Sequence, residues 1–511
     1  MGSSRTTSSR PCFLIVSQVL PRLKSSLTIR PTQTIATSRE WLSRRHGIGF
    51  ATLQPLGETE RTERLEDAGR VFFKLYIPSI QAVLCESLPH LELLDWEDKI
   101  SMPPSMYTAL ACSPVQHLKL YRVRADEEFE VSLPPSIAAP RWPLRTLYLE
   151  LLWNFIAPAK GSTSRLCASI LRLCASTLES LVWISFPGGH DEAHSLGLEP
   201  PTFPALRVLK LGNFTFADSS VLDALISAPG ARCHLHTLSV DTEANEIYSQ
   251  FFERRGAIPS LETFIWDTFN IPDTHSLAFL ESNSQLSKLS LTYETSPYFL
   301  DTRLLPLLSR SFTHLTSLDL SWAGPSISSA ALQLLSTLTS LQQLQLSAGA
   351  KYGWRHDWTP NHDTLRKHLS TLPNLAKLAL SRDTFRPDYD WIAADSYYSA
   401  RTFRPRDAEE QAVADWIVSR DTDEPGDAEE SFHDQAWEKV HRKRVLAEAE
   451  KYVREMPRLE WLYFGQIPMG VVESNPDSSE VGRKVAVPLF EKRDDCYTLL
   501  NRMFGRETAL G

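Results

Sequence analysis

A short phrase of apolar residues recurs twelve times along this chain of 511 residues. Each copy has an apolar residue, two variable residues, a second apolar residue, one variable residue and a third apolar residue, as in LRVLKL and LTSLDL. The first eleven copies begin 24 to 34 residues apart. The copies begin at Leu91, Val115, Leu144, Leu178, Leu206, Leu235, Leu261, Leu286, Leu315, Leu341, Leu375 and Leu459. One such unit cannot bury its own apolar side chains, so the units must stack to form a continuous core.

The phrase also predicts the local structure of each unit. Its last four residues alternate apolar and variable side chains, which is the pattern of a β-strand with one buried face. Between phrases the apolar spacing becomes helical, as in residues 221–226 and 304–308. Polar residues that could cap helix starts precede four of these runs. They are Asp218, Asp301, Ser328 and Asp363. Alternating strands and helices predict parallel strands with the helices on one side.

The phrase resembles the leucine-rich repeat, and the predicted fold is α/β. We expect an irregular leucine-rich-repeat solenoid with a curved parallel sheet on its concave face and helices on its convex face. Regular members of this class carry asparagine or cysteine three positions after the third leucine. In this chain those positions hold Lys99, Val123, Leu152, Phe186, Phe214 and Ala323. The polar ladder of the regular forms is therefore missing, which favours a divergent type.

Composition divides the chain into five predicted segments. Residues 1–50 hold eight Arg or Lys and one acid, and are predicted to form a disordered basic tail. Residues 51–87 are predicted to cap the first repeat, and residues 88–385 to form the repeats. Residues 386–456 are predicted to form an insertion, with a mobile acidic stretch at 407–435 and an amphipathic helix from about 429 to 456. Residues 457–511 are predicted to hold the last repeat and a C-terminal cap.

Charge and cysteine usage limit the kinds of partner and compartment. The net charge of −9 gives the repeats no basic footprint for nucleic acid. No apolar run approaches the roughly 20 residues of a membrane helix. We therefore expect neither a nucleic-acid nor a membrane partner. Seven scattered cysteines without a C-x-x-C pair favour a reducing compartment, cytoplasmic or nuclear. The basic N-terminus leaves a mitochondrial presequence open as an alternative.

Motifs of catalysis are missing from the sequence. It has no G-x-S-x-G elbow, no phosphate-binding glycine loop and no H-E-x-x-H pair. His356, His362 and His368 could suggest a metal, but their spacing of six places no two of them one helical turn apart. In the alternative interpretation Asp363 caps a helix and Trp358 packs the loop. We therefore predict no catalytic, cofactor-binding or metal-binding residue, and a protein that is not an enzyme.

The variable strand positions are predicted to point out of the concave face, where curvature aligns them. Exposed aromatic and charged side chains at such positions are the types that anchor protein interfaces. Any single one of them could equally be ordinary solvated surface. The candidate partner-binding residues are Asp95, Glu97, Lys119, Tyr121, Tyr148, Glu150, Lys210, Asp241, Asp267, Asp319, Trp461 and Tyr463.

A more specific resemblance covers residues 351–469. The segments RHDWTPNHDTLRKHLSTLPNLAKLALSRDTF, DYDWIAADSYYS and WEKVHRKRVLAEAEKYVREMPRLEWLYFGQIPM look like the C-terminal half of fungal leucine-rich F-box-type proteins. The resemblance implies an N-terminal F-box that binds the Skp adaptor of a cullin ubiquitin ligase, while the repeats hold the substrate. Leu20-Pro21 matches the opening of that module, but the helical apolar run that should follow is missing. We therefore expect residues 1–87 to bind the adaptor weakly or not at all.

The leading hypothesis is a non-catalytic protein-recognition scaffold that resembles substrate receptors of F-box ubiquitin ligases. Its protein substrate is unknown, and the Skp adaptor is a partner if an F-box lies upstream. Two alternatives stay open: a mitochondrially imported repeat protein, and an enzyme with its activity in the insertion. The segment HRKR at 441–444 could be a nuclear signal, or the solvated face of a helix beside an acidic run.

Overall fold

The computed structural model describes most of the repeat region and less of the two ends. It covers residues 26–29, 78–97, 102–133, 142–151, 163–185, 194–226, 233–242, 246–268, 274–352, 355–381, 428–473, 483–490 and 497–505, with short breaks inside some of these ranges. The contacts divide the chain into two compact units, Met1–His234 and Leu235–Gly511. Their boundary falls inside residues 88–385, which the repeat pattern treats as one run.

The first unit is built on parallel strands, each hydrogen-bonded to the next. The strands are β1 (Ser26–Ile29), β2 (Leu93–Glu97), β3 (His117–Val123), β4 (Thr146–Leu151), β5 (Ser180–Ser185) and β6 (Val208–Gly212). The helices between them are α1 (Pro104–Ala111), α2 (Ser164–Cys174) and α3 (Ser220–Ile226). Strand β1 lies in the predicted disordered tail, so the expectation of disorder is wrong for Ser26–Ile29, which pairs with β2.

The second unit continues the same alternation. Its parallel strands are β7 (Thr237–Thr242), β8 (Thr263–Thr268), β9 (Lys288–Leu291), β10 (Ser317–Ser321), β11 (Gln343–Ser347), β14 (Lys377–Leu380) and β15 (Trp461–Phe464). The helices are α4 (Glu246–Arg255), α5 (Thr274–Ser282), α6 (Pro297–Phe299), α7 (Leu305–Ser311), α8 (Ser329–Leu335) and α9 (His362–Leu369). A π-helical turn at Leu300–Leu304 joins α6 to α7. Strands β12 (Lys351–Tyr352) and β13 (Arg355–His356) form a small antiparallel pair.

The end of the second unit departs from the repeat. Helix α10 (Ala428–Glu455) precedes β15, and the chain then reverses into the antiparallel strands β16 (Ile467–Glu473) and β17 (Lys484–Pro488). Helix α11 (Thr498–Met503) follows. The predicted helix from about 429 to 456 is confirmed by α10. Its expected apolar stripe is buried at Val445, Ala449 and Tyr452. The predicted acidic stretch lies outside the described residues as far as residue 427.

Each of the twelve phrases contains a strand, and the strand begins two residues after the first residue of the phrase. The α/β leucine-rich-repeat fold is therefore confirmed. The second leucines of the phrases stand side by side in register and have no exposed surface. In the first unit they are Leu94, Leu118, Leu147, Leu181 and Leu209. Trp96, Trp183 and Trp266, each the third apolar residue of its phrase, are buried as well. Burying a leucine side chain of this kind stabilises the fold by about 1.5–3 kcal/mol.

Backbone hydrogen bonds join successive repeats just before the strands. The carbonyl of the second phrase residue accepts two amides from the next repeat, as Gln116 O does from Arg145 N (2.7 Å) and Thr146 N (3.0 Å). The same arrangement recurs at Glu179 and Thr316. A carbonyl has two lone pairs, so one group can satisfy both donors. Any residue type can supply this carbonyl.

A second set of contacts comes from the residue just before a phrase. Thr177 Oγ1 donates to Leu144 O at 2.8 Å, Ser260 Oγ to Leu235 O at 2.9 Å and Ser340 Oγ to Leu315 O at 2.7 Å. Each bond reaches back one repeat. Hydroxyls at this position thus bind carbonyls that the turn leaves without a strand partner.

Two of the four predicted helix caps are confirmed. Asp218 Oδ1 accepts from Ser220 N at 2.7 Å, and Ser328 Oγ accepts from Ala331 N at 3.0 Å. Asp301 is not a cap, because the helical segment already begins at Pro297. Its carboxylate accepts from Trp322 Nε1 and Ser328 Oγ instead. Asp363 is not a cap either, since Asn361 Oδ1 fills that position for α9 with a bond of 3.0 Å to the amide of the third residue on.

Candidate binding face

In the first unit, polar and aromatic side chains line the face of the strands opposite the leucine core. Asp95, Lys119 and Tyr148 stand in register on β2, β3 and β4, followed by Val182 on β5 and Lys210 on β6. Adjacent positions in such a row are about 4.8 Å apart. We call this surface the polar strand face. It consists of Asp95, Glu97, Lys119, Tyr121, Tyr148, Glu150 and Lys210, of which Glu150 is buried and the others are partly exposed.

The two tyrosines and Glu150 on this face contact one another. The rings of Tyr121 and Tyr148 have centroids 4.8 Å apart at an interplanar angle of 36°. Tyr148 Oη donates to Glu150 Oε2 at 3.1 Å. Offset ring pairs of this kind stabilise a fold beyond the area they bury. The carboxylate therefore lies beside a fixed pair of aromatic rings.

A β-bulge adds a residue that the sequence pattern does not identify. Leu120 pairs with Leu149 but Val123 pairs with Leu151, so Tyr121 and Arg122 together oppose Glu150. Arg122 has a φ of 56°, in the left-handed region. Bulges of this type re-aim side chains. The phrase ends at its third apolar residue, which is Leu120 in β3. Only the spacing of the apolar residues after Leu120, which differs from the spacing after Leu149 in β4, could have indicated the bulge in the sequence.

Burial controls the charge state of Glu150. Removal from water raises the pKa of its carboxyl, and the nearby charge of Glu97 raises it further. The hydrogen bond from Tyr148 and the positive charge of Arg122 act in the opposite direction without cancelling the effect of burial. Burial also raises the pKa of the Tyr148 phenol, as does the carboxylate of Glu150. Tyr148 therefore acts as a hydrogen-bond donor at neutral pH.

In the second unit the expectation of exposure is wrong for several candidates. Asp319 is buried on β10, and its Oδ2 accepts a hydrogen bond of 2.6 Å from Ser290 Oγ on β9. Its neighbours in the row, Ser290 and Gln345, are buried too. The sheet here is buried on both faces, and side-chain alternation alone does not reveal this. Whether Asp319 binds a partner stays a prediction.

Trp461 and Tyr463 are buried by the C-terminal helix. They form a cluster with Ala379 on β14 and with Leu500 and Phe504 from the region of α11. The rings of Trp461 and Tyr463 have centroids 5.7 Å apart. The expectation that these two side chains are exposed is therefore wrong. Helix α11 covers them.

For the last two candidates, Asp241 and Asp267, the structure describes the backbone only. Asp241 on β7 pairs with Asp267 on β8 in the parallel register, so the two carboxylates belong to neighbouring positions. Their side chains lie outside the part of the chain that the structure describes. Their role in binding stays a prediction.

His362, the middle histidine of the three, packs against Tyr452 and Phe464. His362 Nδ1 lies 3.1 Å from Tyr452 Oη, and the His362 ring also contacts Phe464. The side chain of His356 lies outside the described residues. Among the described residues, no group of three or more His, Cys, Asp or Glu side chains could hold a metal ion. Within that same part of the chain, no helix is long and apolar enough to cross a membrane.

No model of a known protein family matches this chain, and no curated protein matches it. It is similar to TLR13 in a crystal structure of a TLR13–ssRNA13 complex, at 13% identity over 60% of this chain and 48% of that chain, with a TM-score of 0.25. It is also similar to a leucine-rich-repeat protein of Leptospira interrogans, at 14% identity over 57% of this chain and 84% of that chain, with a TM-score of 0.21. The chain thus matches about half the length of TLR13.

Proposed function

We propose that this chain is a non-catalytic scaffold that recognises another protein on the polar strand face of its first unit. The observation that supports this most strongly is the grouping of seven candidate residues on neighbouring strands. Six of the seven are partly exposed, whereas the matching rows from β9 to β15 are largely buried. Fixed strands hold these side chains in place, so a partner would meet a preorganised surface.

The residue types on this face are suited to protein recognition. Tyrosine supplies a large contact area at a small cost in conformational entropy, and it is enriched among residues that dominate binding. Tyr121 and Tyr148 stand near the middle of the face, with Asp95 and Glu97 on one side and Lys210 on the other. Charges at the rim of an aromatic centre steer association and set specificity.

Position-specific photocrosslinking tests the proposal. A benzoylphenylalanine placed at Lys119 or Lys210 in native cells should crosslink to one partner protein. The control is the same probe at Arg172, an exposed residue of α2 away from this face. With the purified partner, Tyr121→Ala should weaken binding by at least about tenfold, as expected of a central tyrosine. Equal crosslinking from Arg172, or unchanged binding by the variant, would contradict the proposal.

The finer proposal is that this recognition serves a cullin ubiquitin ligase, with the chain as a substrate receptor of the F-box class. Its support is the resemblance of residues 351–469 to that class. Cys174 is a buried thiol that forms no disulfide, which fits a reducing compartment, the cytoplasm or the nucleus. Because residues 1–87 show no evident F-box, we expect purified Skp adaptor to capture this chain weakly or not at all, so the finer proposal is tested on the ubiquitination of the partner. A partner whose ubiquitination and lifetime do not depend on this chain would count against it, while the recognition proposal would stand.

A further inference from the structure

The hairpin of β16 and β17 exposes apolar side chains at the end of the second unit. Five large apolar side chains are exposed in the described part of the chain, and four of them lie on or just after this hairpin. The four are Val472 at 48%, Val487 at 42%, Leu489 at 47% and Phe490 at 54%. Scattered apolar residues are normal on a protein surface, whereas a contiguous group marks an interaction site.

The strand register places three of these side chains on one face of the hairpin. In the antiparallel ladder Gly470 pairs with Val487, and Val472 pairs with Val485. Paired residues share a face, as do residues two positions apart on one strand. Leu489 belongs to the same face, because a Cβ atom at Gly470 would lie 3.1 Å from Leu489 Cδ2. We call the five residues Gly470, Val472, Val485, Val487 and Leu489 the apolar hairpin face.

The opposite face of the hairpin is packed against the core. Met469 and Ala486 are buried there, and β17 contacts α10. An antiparallel sheet with one face on the core normally places polar side chains on its other face. The apolar hairpin face carries no polar side chain at any of its five positions. Its composition is therefore that of a sheet with both faces covered.

The apolar hairpin face continues a surface that already holds a helix. Trp461 of β15 pairs with Gly470 of β16, so the two residues share a face of the sheet. Trp461 packs against Leu500 and Phe504 from the region of α11. Helix α11 thus covers this side of the sheet at β15, and the exposed apolar side chains follow on the next two strands. The contact with α11 shows that this surface accepts the apolar side of a helix.

The edge of β17 is poorly suited to pairing with a further strand. Strand β17 has five residues, begins at Lys484 and ends at Pro488. Short length, lysine and proline are features that disfavour edge-to-edge pairing of strands. The side-chain face of the hairpin, rather than its backbone edge, is therefore the surface that suits a partner.

The size of the apolar hairpin face limits what can cover it. From Val485 to Leu489 it extends for about 14 Å, and its two strands make it about 10 Å wide. A stable contact with a second copy of the chain would need about 800 Å² from each copy, which is several times this area. A helix is about 10 Å across and rises about 5.4 Å per turn, so about two to three turns of one helix fit.

We propose that the apolar hairpin face binds an amphipathic helix of a partner protein, docked beside α11. Such a helix presents apolar side chains at positions i, i+3 or i+4, and i+7, which form one stripe. Burying that stripe against Val472, Val487 and Leu489 removes apolar surface of both chains from water, which drives the association. The surface lies in the second unit, so this inference goes beyond the proposed function and does not depend on the polar strand face.

A library of helical peptides tests the inference. The full chain is immobilised and screened with a phage-displayed three-turn helix rich in Ala, Glu and Lys, with randomised positions all around its circumference. Display in many copies retains weakly binding sequences. Selected peptides should share an apolar stripe at helical spacing. A synthetic peptide with Asp at one stripe position should bind roughly tenfold more weakly or worse.

Two variants of the chain locate the binding site. Val487→Asp places a charge in the apolar hairpin face, and Leu489→Ser removes apolar surface from it. Both should weaken peptide binding by about tenfold or more. Tyr298→Asp is the matched control, because it also removes an exposed apolar side chain, but from α6, and it should leave peptide binding unchanged. Leu489→Ser keeps the test decisive if the Val487→Asp variant fails to fold.

Several results would overturn the inference. They are a library that yields no binding peptide, selected peptides without an apolar stripe, and peptide binding that folded Val487→Asp or Leu489→Ser leaves unchanged. A dimer seen by light scattering that Val487→Asp dissociates would show that a second copy covers the face, and would overturn the inference as well. The proposed function fails differently, when photocrosslinking from Lys119 and Lys210 yields no partner, and that result leaves this inference in place.

Discussion

At the scale of single residues, the two faces of each strand differ in how well the sequence predicts them. The phrase predicts which side of the strand is buried, because the second apolar residue of each phrase must leave water to build the core. The opposite side depends on what else the chain packs there. Tyr148 and Tyr463 occupy the same variable position of their phrases, yet Tyr148 is partly exposed and Tyr463 is buried under α11. No local pattern around either tyrosine carries that difference.

Truncating a phrase leucine should cost much of the stability of the chain. Leu209 and Leu318 have no exposed surface, so Leu209→Ala and Leu318→Ala each leave a cavity. We expect each to lower the free energy of unfolding by about 2–5 kcal/mol, measured by chemical denaturation. Leu489→Ala is the control, because Leu489 is 47% exposed and should lose little. Parent-like stability of both core variants would show that the strand register is wrong.

Glu150 should make stability depend on pH. Its folded-state pKa is raised, mainly by burial, above the unfolded value of about 4.3. The protonated carboxyl therefore contributes stability below about pH 4, and this contribution is lost as pH rises through the folded-state pKa. Glu150→Gln cannot ionise, so it should gain stability relative to the parent over that window. Denaturation at a series of pH values measures the gain. A difference in stability between Glu150→Gln and parent that stays constant with pH would refute the argument.

At the scale of elements, a buried arginine fixes α10 against α9. Arg366 of α9 bonds Asp363, Glu448 and Glu455, the last through its Nε at 3.1 Å. Its guanidinium also lies 5.5 Å from the ring centroid of Tyr452. The side chains of Arg366 and Glu448 are 8% and 12% exposed. Removing Arg366 leaves the mostly buried carboxylate of Glu448 with only its half-exposed partner Lys451, at 2.8 Å, and such a loss is costly for a buried ion pair.

Arg366→Met should therefore destabilise the second unit by about 3–5 kcal/mol, in the range for a broken buried ion pair. Faster hydrogen exchange in α10 should accompany the loss. Arg310→Met is the matched control, since Arg310 and Glu281 pair at 2.9 Å on the surface, where such pairs contribute at most about 1 kcal/mol. Arg366→Met combined with Glu448→Met should recover part of the loss. Equal effects of the buried and surface changes would mean that Arg366 does not hold α10.

The sequence predicts helices and strands well where the apolar periodicity is strong. It predicts the first residue of a helix poorly where more than one nearby residue could begin that helix. All twelve strands follow from the phrase, and α10 follows from its apolar stripe. The caps at Asp301 and Asp363 fail, because Pro297 and Asn361 begin the helices earlier. The antiparallel β16 and β17 carry no phrase and pair with the strands just before them. Strand β1 carries no phrase either, and its pairing depends on β2, far along the chain. Such tertiary pairing is absent from local pattern.

At the scale of the whole molecule, stacking explains how this fold tolerates irregular repeats. Shared backbone carbonyls, such as those of Gln116 and Thr316, join successive repeats without a fixed side chain. Hydroxyls at Thr177, Ser260 and Ser340 add bonds to the previous repeat. The architecture is therefore predictable from the leucines alone. The proposed binding face is not, because the bulge at Arg122 changes which residues line it. Burial of Trp461 and Tyr463 by α11 is likewise not predictable from the leucines.

The repeats should loosen locally before the chain unfolds as a whole, because each repeat contacts mainly its neighbours. Leu209→Ala should speed hydrogen exchange first in β5 and β6, and leave β10 and β11 close to parent. Leu318→Ala should do the reverse, so each variant is the control for the other. Hydrogen exchange with mass spectrometry under native conditions resolves the two regions. Uniform acceleration along the whole chain in both variants would mean that the repeats unfold as one cooperative unit, and nearest-neighbour stacking would then not describe this protein.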